Sequence, residues 1–206
     1  MSDESNLPVL ILSGLGAPRA SAQLYGAVFR ARGFRVYAAP HRLWGYGDVW
    51  KAAALLPDAI DEVRQRTGAP QVKLVGMSLG GLVGLVHLKC GGDTSAVERF
   101  ISVGGPLNGA AAAKLLELVP VPRGHAVAQT SPNSELMRTL RDAPLPDSVR
   151  LISVGTHGDV MTPRSAWDAE GFEVVETPYG RFPLGHWMLF THPGNHQIVA
   201  DLLGPA

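Results

Sequence analysis

In Val72-Lys73-Leu74-Val75-Gly76-Met77-Ser78-Leu79-Gly80, a short valine-rich run gives way at a glycine to a helical pattern that continues from Leu82 to Lys89. Strand, tight turn and helix follow one another without a linker, as in a parallel sheet joined by crossover helices. A serine in the middle of such a turn sits on sharply bent backbone. Positions 76 and 80 must be small, because side chains there would collide with the neighbouring strand and helix. The Ser78 hydroxyl then stands above the C-terminal edge of the sheet, where the start of the following helix favours negative charge.

Five further apolar runs have the same character: Val9 to Leu12, Phe34 to Ala39, Phe100 to Val103, Val149 to Val154 and Phe172 to Val175. Together with Val72 to Met77 they read as strands buried on both faces. Helical patterns lie between them, at Ser21 to Arg32, Val49 to Thr67, Leu79 to Lys89, Ala110 to Val119 and Asn195 to Leu203. Glycines after Arg32, Thr67 and Cys90 mark helix C-termini. The expected class is α/β, a doubly wound, mostly parallel six-stranded sheet with right-handed crossovers. The chain reads as one domain over 1–206. Its least regular part, from about 106 to 147, is broken by Pro120, Pro122, Pro132, Pro144 and Pro146 and reads as a small cap-like excursion between two strands.

The bulk composition narrows the functional classes. A chain of 206 residues, 46% hydrophobic and 17% charged, can bury a continuous interior. Lys plus Arg and Asp plus Glu both number 18, leaving no net charge to attract nucleic acid or an anionic membrane over long range. The start Met1 to Asn6 is acidic and polar, the run Leu7 to Leu12 is too short for a secretory signal, and no stretch approaches the roughly 20 apolar residues of a membrane span. With Cys90 as the single cysteine, no internal disulfide can form, and a cytoplasmic location is expected. Cys90 itself reads as a packing residue at a helix end.

These motifs resemble those of the α/β-hydrolase family, in particular its compact bacterial lipases and esterases. The resemblance runs over nearly the whole chain. It rests on Leu10-Ile11-Leu12-Ser13-Gly14-Leu15-Gly16, on Val75 to Gly81, on Gly104-Gly105-Pro106-Leu107-Asn108-Gly109, on Val154-Gly155-Thr156-His157-Gly158-Asp159 and on Gly185-His186. It implies a minimal fold lacking the family's first two strands, with Leu10 to Gly16 as first strand and oxyanion loop. Family members commonly carry His-Gly where this chain has Ser13-Gly14, a small departure, because the groups that matter there are backbone amides.

A serine hydroxyl needs a base to take its proton, and the base needs a carboxylate to hold its tautomer. In this fold the chain order is serine, acid, histidine. Asp159 follows a strand within a glycine-containing loop; Asp142 and Asp147 precede that strand, and Asp168 lies in a helical or loop segment beyond it. Of seven histidines, His186, His192 and His196 follow Asp159. His186 is the expected base, in a loop before Trp187-Met188-Leu189-Phe190, while His192 and His196 read as loop and helix-start residues and not as a metal pair. The amides of Leu15 and Leu79 are the oxyanion candidates.

The resulting expectation is an enzyme that hydrolyses small-molecule carboxylic esters of short to medium acyl chain through an acyl-enzyme on Ser78, with no cofactor, no metal and no nucleic-acid partner. Acyl transfer or thioester hydrolysis would use the same residues, and a non-catalytic binding module could keep the same fold. Trp44, Tyr46 and Trp50 could line a pocket or pack over the sheet edge. Ala110 to Val119, and Leu136, Met137 and Leu140 in a second short helix, could present apolar faces to the site.

Overall fold

The computed structural model describes residues 7–15, 19–39, 47–91, 93–110 and 126–206. Six strands form one sheet: β1 (Val9–Leu12), β2 (Val36–Ala38), β3 (Val72–Met77), β4 (Val97–Val103), β5 (Arg150–Gly155) and β6 (Glu173–Glu176). Their order is β2-β1-β3-β4-β5-β6, and every neighbouring pair is parallel. The order reverses between β1 and β3, which places a crevice at the C-terminal ends of these two strands.

Alternation along the strands feeds two cores. Leu10, Leu12, Leu74, Phe100 and Leu151 point to one face, under α2 (Val49–Ala54), α3 (Leu56–Thr67) and α4 (Leu79–Cys90). Val9, Ile11, Val75, Ile101, Val103, Ile152 and Val154 point to the other, under α1 (Arg19–Arg30) and the C-terminal helix. Such burial on both sides is why these strands read as continuous apolar runs. Helix α4 is apolar on every side and buried from Leu79 to Leu88, as expected of a helix at the centre of a fold.

Several boundaries differ from the sequence reading for identifiable reasons. The long pattern from Val49 to Thr67 is two helices, because Pro57 cannot sit in the interior of one and instead opens α3, with Leu55 between them. Strand β4 starts three residues earlier than its apolar run, since Glu98 and Arg99 satisfy one another, Nε to Oε2 at 2.5 Å, and Arg99 also donates to the Leu202 carbonyl. Three short helices carry no long apolar period: α5 (Ala126–Gln129), α7 (Arg164–Trp167) and α8 (Gly185–Thr191). The last helix, α9 (Pro193–Leu203), begins with Pro193 at its first position, which a proline suits, and not at Asn195.

Helix α6 (Glu135–Asp142) is capped by the Ser134 side chain, which accepts from the Met137 amide at 3.1 Å. Its Leu136, Met137 and Leu140 are buried in the core shared with α4, and do not form an apolar face toward the site. The lysine at position 89 ties it further, donating to the Leu140 carbonyl at 2.5 Å. The other proposed apolar face, Ala110 to Val119, lies outside the described residues beyond Ala110, as do Trp44 and Tyr46; Trp50 packs against the α2–α4 core. Cys90 is half-buried beside the same core, and burial pushes its thiol up, partly opposed by Lys89. No helix among the described residues is long and apolar enough to cross a membrane.

His87 is buried in the last turn of α4, and its Nε2 has no hydrogen-bond partner among the described residues. Burial pushes its pKa below the ordinary 6.5, with the Asp93 carboxylate pulling weakly the other way. The unfolded chain therefore takes up this proton first as pH falls. The associated stability is complete above about pH 6.5 and is lost as pH drops from there toward the folded-state value. We expect the urea midpoint to fall between pH 7.5 and pH 5.5, and to fall measurably less in His87→Leu. Parallel pH profiles for the two proteins would remove this role.

Candidate active site

Among the described residues Ser78 is the single non-glycine with positive φ (φ 50°, ψ −122°). Such a conformation costs about 1–3 kcal/mol and persists only where the surroundings over-determine it. Here they do. The Ser78 amide donates to the Val103 carbonyl at 2.8 Å, fastening the turn to the end of β4, and its carbonyl accepts from the Gly81 amide at 2.8 Å. A Cβ at Gly76 would lie 2.6 Å from the carbonyl carbon and oxygen of Gly80, and one at Gly80 would lie 2.7 Å from the carbonyl oxygens of Leu12 and Ser13. Close approach of β1, β3 and α4 dictates both glycines.

Asp159 and His186 reach the same place from β5 and from α8. His186 Nε2 is 3.0 Å from Ser78 Oγ, and its Nδ1 is 2.7 Å from Asp159 Oδ2. A carboxylate has only acceptors, so Nδ1 carries the proton, and Nε2 is left to accept from the serine hydroxyl. Both Asp159 and His186 are buried. The histidine is not in a loop, as the sequence reading had it, but in the first turn of α8; Pro183 before it and Pro193 after it leave too short a segment to show a helical period. The two segments are stitched together: Asp159 pairs with Leu184 in an antiparallel bridge, and the Gly185 amide donates to the Gly158 carbonyl at 3.0 Å. The Phe190 and Trp187 rings stand edge-on to the imidazole, at 5.5 and 6.1 Å.

Leu15 follows β1 and Leu79 opens α4 directly after Ser78, so both lie in the segments that follow the two strands bordering the crevice. A Cβ on Gly14 would meet Ser78 Cβ at 3.0 Å and Oγ at 3.6 Å, so the backbone leading to Leu15 runs against the serine. Leu79 is the first residue of α4, where an amide has no carbonyl four residues back to serve. Neither amide donates to another protein group among the described residues. Gly16 lies outside the described residues.

The competing residues are placed elsewhere. Asp142 ends α6, Asp147 lies exposed in the turn before β5, and Asp168 pairs with Arg164 at 3.0 Å. His192 caps α9 by accepting from the Gly194 amide and stacks on Tyr179, while His196 Nε2 donates to the Phe190 carbonyl at 2.8 Å. Thr162 escaped the sequence reading altogether, although it contacts Asp159, His186 and Gly104 at once. Its one legible signal is Asp159-Val160-Met161-Thr162, in which the aspartate accepts from the next two amides but one, as in an Asx turn. A groove of about 570 Å³ between α4, α6 and the segment before β6, lined by Leu85, Lys89, Met137 and Leu145, touches none of Ser78, Asp159 and His186.

Solved structures share this fold. A mature-form lipase of Bacillus licheniformis superposes with a TM-score of 0.76 at 17% identity, over 98% of this chain and 94% of that one. An enzyme from the metagenome of Mar Chica lagoon sediments, described as an alpha/beta hydrolase, gives 0.63 at 19% identity, over 96% and 90%. The fold is that of the α/β-hydrolases. Lipase B of Aspergillus fumigatus also matches this chain, with a TM-score of 0.73 at 19% identity over 98% of it, but the match spans only 53% of that longer protein. No protein-family model and no curated protein matches the sequence. The turn after β3 in this fold is a strained strand-to-helix turn at the C-terminal edge of the sheet.

Proposed function

We propose that the protein is a serine hydrolase that cleaves carboxylic esters of short to medium acyl chain through an acyl-enzyme on Ser78. The observation that carries this reading is the unbroken line of contacts from Ser78 Oγ to His186 Nε2, 3.0 Å, and from Nδ1 to Asp159 Oδ2, 2.7 Å, on a strained turn at the sheet's C-terminal edge. Ser78 Oγ attacks the ester carbonyl carbon and passes its proton to Nε2. The oxyanion that forms is held by the Leu15 and Leu79 amides, each such donor contributing about 3–4 kcal/mol to transition-state stabilisation. Collapse expels the alcohol, which takes the proton from Nε2, and water then attacks the acyl-serine with His186 again as base. Asp159 keeps the proton on Nδ1 and stabilises the imidazolium. No cofactor enters any of these steps.

An apolar substrate suits the surroundings, because Val160, Met161, Leu184 and Trp187, next in sequence to Asp159 and His186, are all exposed. The described part of the 106–147 excursion supports a limit on acyl length without a hinged flap: α6 is anchored in the core, and the Asn108 side chain donates to the Ser165 and Asp168 carbonyls. Butyrate-length to octanoate-length p-nitrophenyl esters are expected to be cleaved faster than palmitate-length ones, with no jump in rate where substrate passes its solubility limit. Initial rates across such a series check this. A preference for palmitate, or sharp activation at the interface, would contradict it.

A further inference from the structure

The two oxygens of Asp159 are held differently. Oδ1 accepts from the Met161 amide at 2.9 Å and the Thr162 amide at 2.8 Å. Oδ2 accepts from His186 Nδ1 at 2.7 Å, and the Thr162 hydroxyl lies 2.7 Å from the same oxygen. That hydroxyl is also 3.1 Å from the Gly104 carbonyl oxygen and 3.2 Å from His186 Nδ1. One buried side chain thus touches the acid, the base and the backbone just beyond β4. It has a single proton for two acceptors, and the charged, closer one takes it. An oxygen lone pair is then left facing the Nδ1–H.

We propose that Thr162 is a positioning residue that fixes the plane of the Asp159 carboxylate and, through it, the tilt and tautomer of His186, an inference that rests on the hydrolase reading above. The physical reason is torsional. A carboxylate rotates broadly about its terminal bond; the rotation carries both oxygens together, and hydrogen bonds to Oδ1 restrain it but leave an arc through which Oδ2 can shift away from Nδ1. A second donor on Oδ2 removes that freedom, and the β-branched side chain keeps the donor itself in place. Among the described residues, Asp159 is the one charged group in hydrogen-bond contact with His186. Of the ionisable groups from the end of β5 to the end of β6, His157 pairs with Glu176 and Arg164 with Glu176 and Asp168, and α8 carries no Asp, Glu, Lys or Arg.

The test compares Thr162→Val, which keeps the shape and removes the hydroxyl, with Thr162→Ser, which keeps the hydroxyl. Thr162→Ala replaces the valine variant if that one does not fold. Two readouts apply to the whole chain: kcat and KM on p-nitrophenyl butyrate, and the low-field proton resonance of His186 Nδ1–H, assigned by its loss in His186→Ala. We expect Thr162→Val to lower kcat about 10- to 100-fold with KM within about twofold, as misplaced catalytic groups do, and to broaden or lose the resonance. Thr162→Ser should retain both. A valine variant with unchanged kcat and resonance overturns the proposal, and so does a serine variant as impaired as the valine one, since methyl packing would then be the cause. Should the unsubstituted protein cleave no ester, the hydrolase reading fails on its own, while the resonance comparison still decides whether Thr162 holds His186.

Discussion

Ser78→Ala is expected to lower kcat by about 10⁴- to 10⁶-fold, to a residue of rate supplied by binding and the oxyanion amides alone. The fold should survive, because Ser78 is held by its backbone: its amide and carbonyl are bonded to Val103 and Gly81, and among the described residues its side chain makes one hydrogen bond, to His186 Nε2. The measurement is turnover of a short-chain ester by purified variant and parent, with thermal midpoints compared in parallel. Near-parental kcat would remove Ser78 from the chemistry, and a collapsed midpoint with lost activity would show that the hydroxyl had been structural.

His186→Ala should be almost as severe, about 10⁴- to 10⁶-fold in kcat, because a nucleophile and its base act as one unit and their losses do not add. The double variant with Ser78→Ala should therefore be hardly worse than either single change. His192→Ala and His196→Ala provide the internal control. Each has a local task, His192 as the cap of α9 and His196 as donor to the Phe190 carbonyl, so their loss should cost stability of about 0.5–2 kcal/mol while leaving kcat within a few-fold. A crippled His192→Ala or His196→Ala beside an active His186→Ala would reassign the base.

The parts of the molecule legible in the sequence are those where one local cause dominates. The turn at Ser78 was legible because backbone approach at Gly76 and Gly80 admits only glycine, a constraint written in two residues. The strands were legible because both faces are buried, so β1 is wholly apolar and β3 and β5 are mostly so, with Lys73, Arg150 and Ser153 as the exceptions. Where two causes compete, the pattern fails. Glu98 and Arg99 look like loop residues, yet they extend β4 because they neutralise each other at its largely buried start. Pro57 divides a pattern that remains amphipathic across the break. At the site, chain order was enough to put Asp159 and His186 forward, but the first turn of α8 and the contacts of Thr162 depend on how the segments after β5 and before α8 close on each other. Nothing in the spacing of Thr162 alone expresses that closure.

On the proposed mechanism Ser78 is a nucleophile activated by His186. A fluorophosphonate probe reacts with a serine only when a base removes its proton and an oxyanion site receives the phosphoryl oxygen, so it reads out the whole arrangement in one covalent event. Intact-mass and peptide-mapping mass spectrometry of the treated protein should show one adduct, on the peptide bearing Ser78, and no adduct in His186→Ala treated alike. An unlabelled parent protein, or an adduct on any residue other than Ser78, would contradict it.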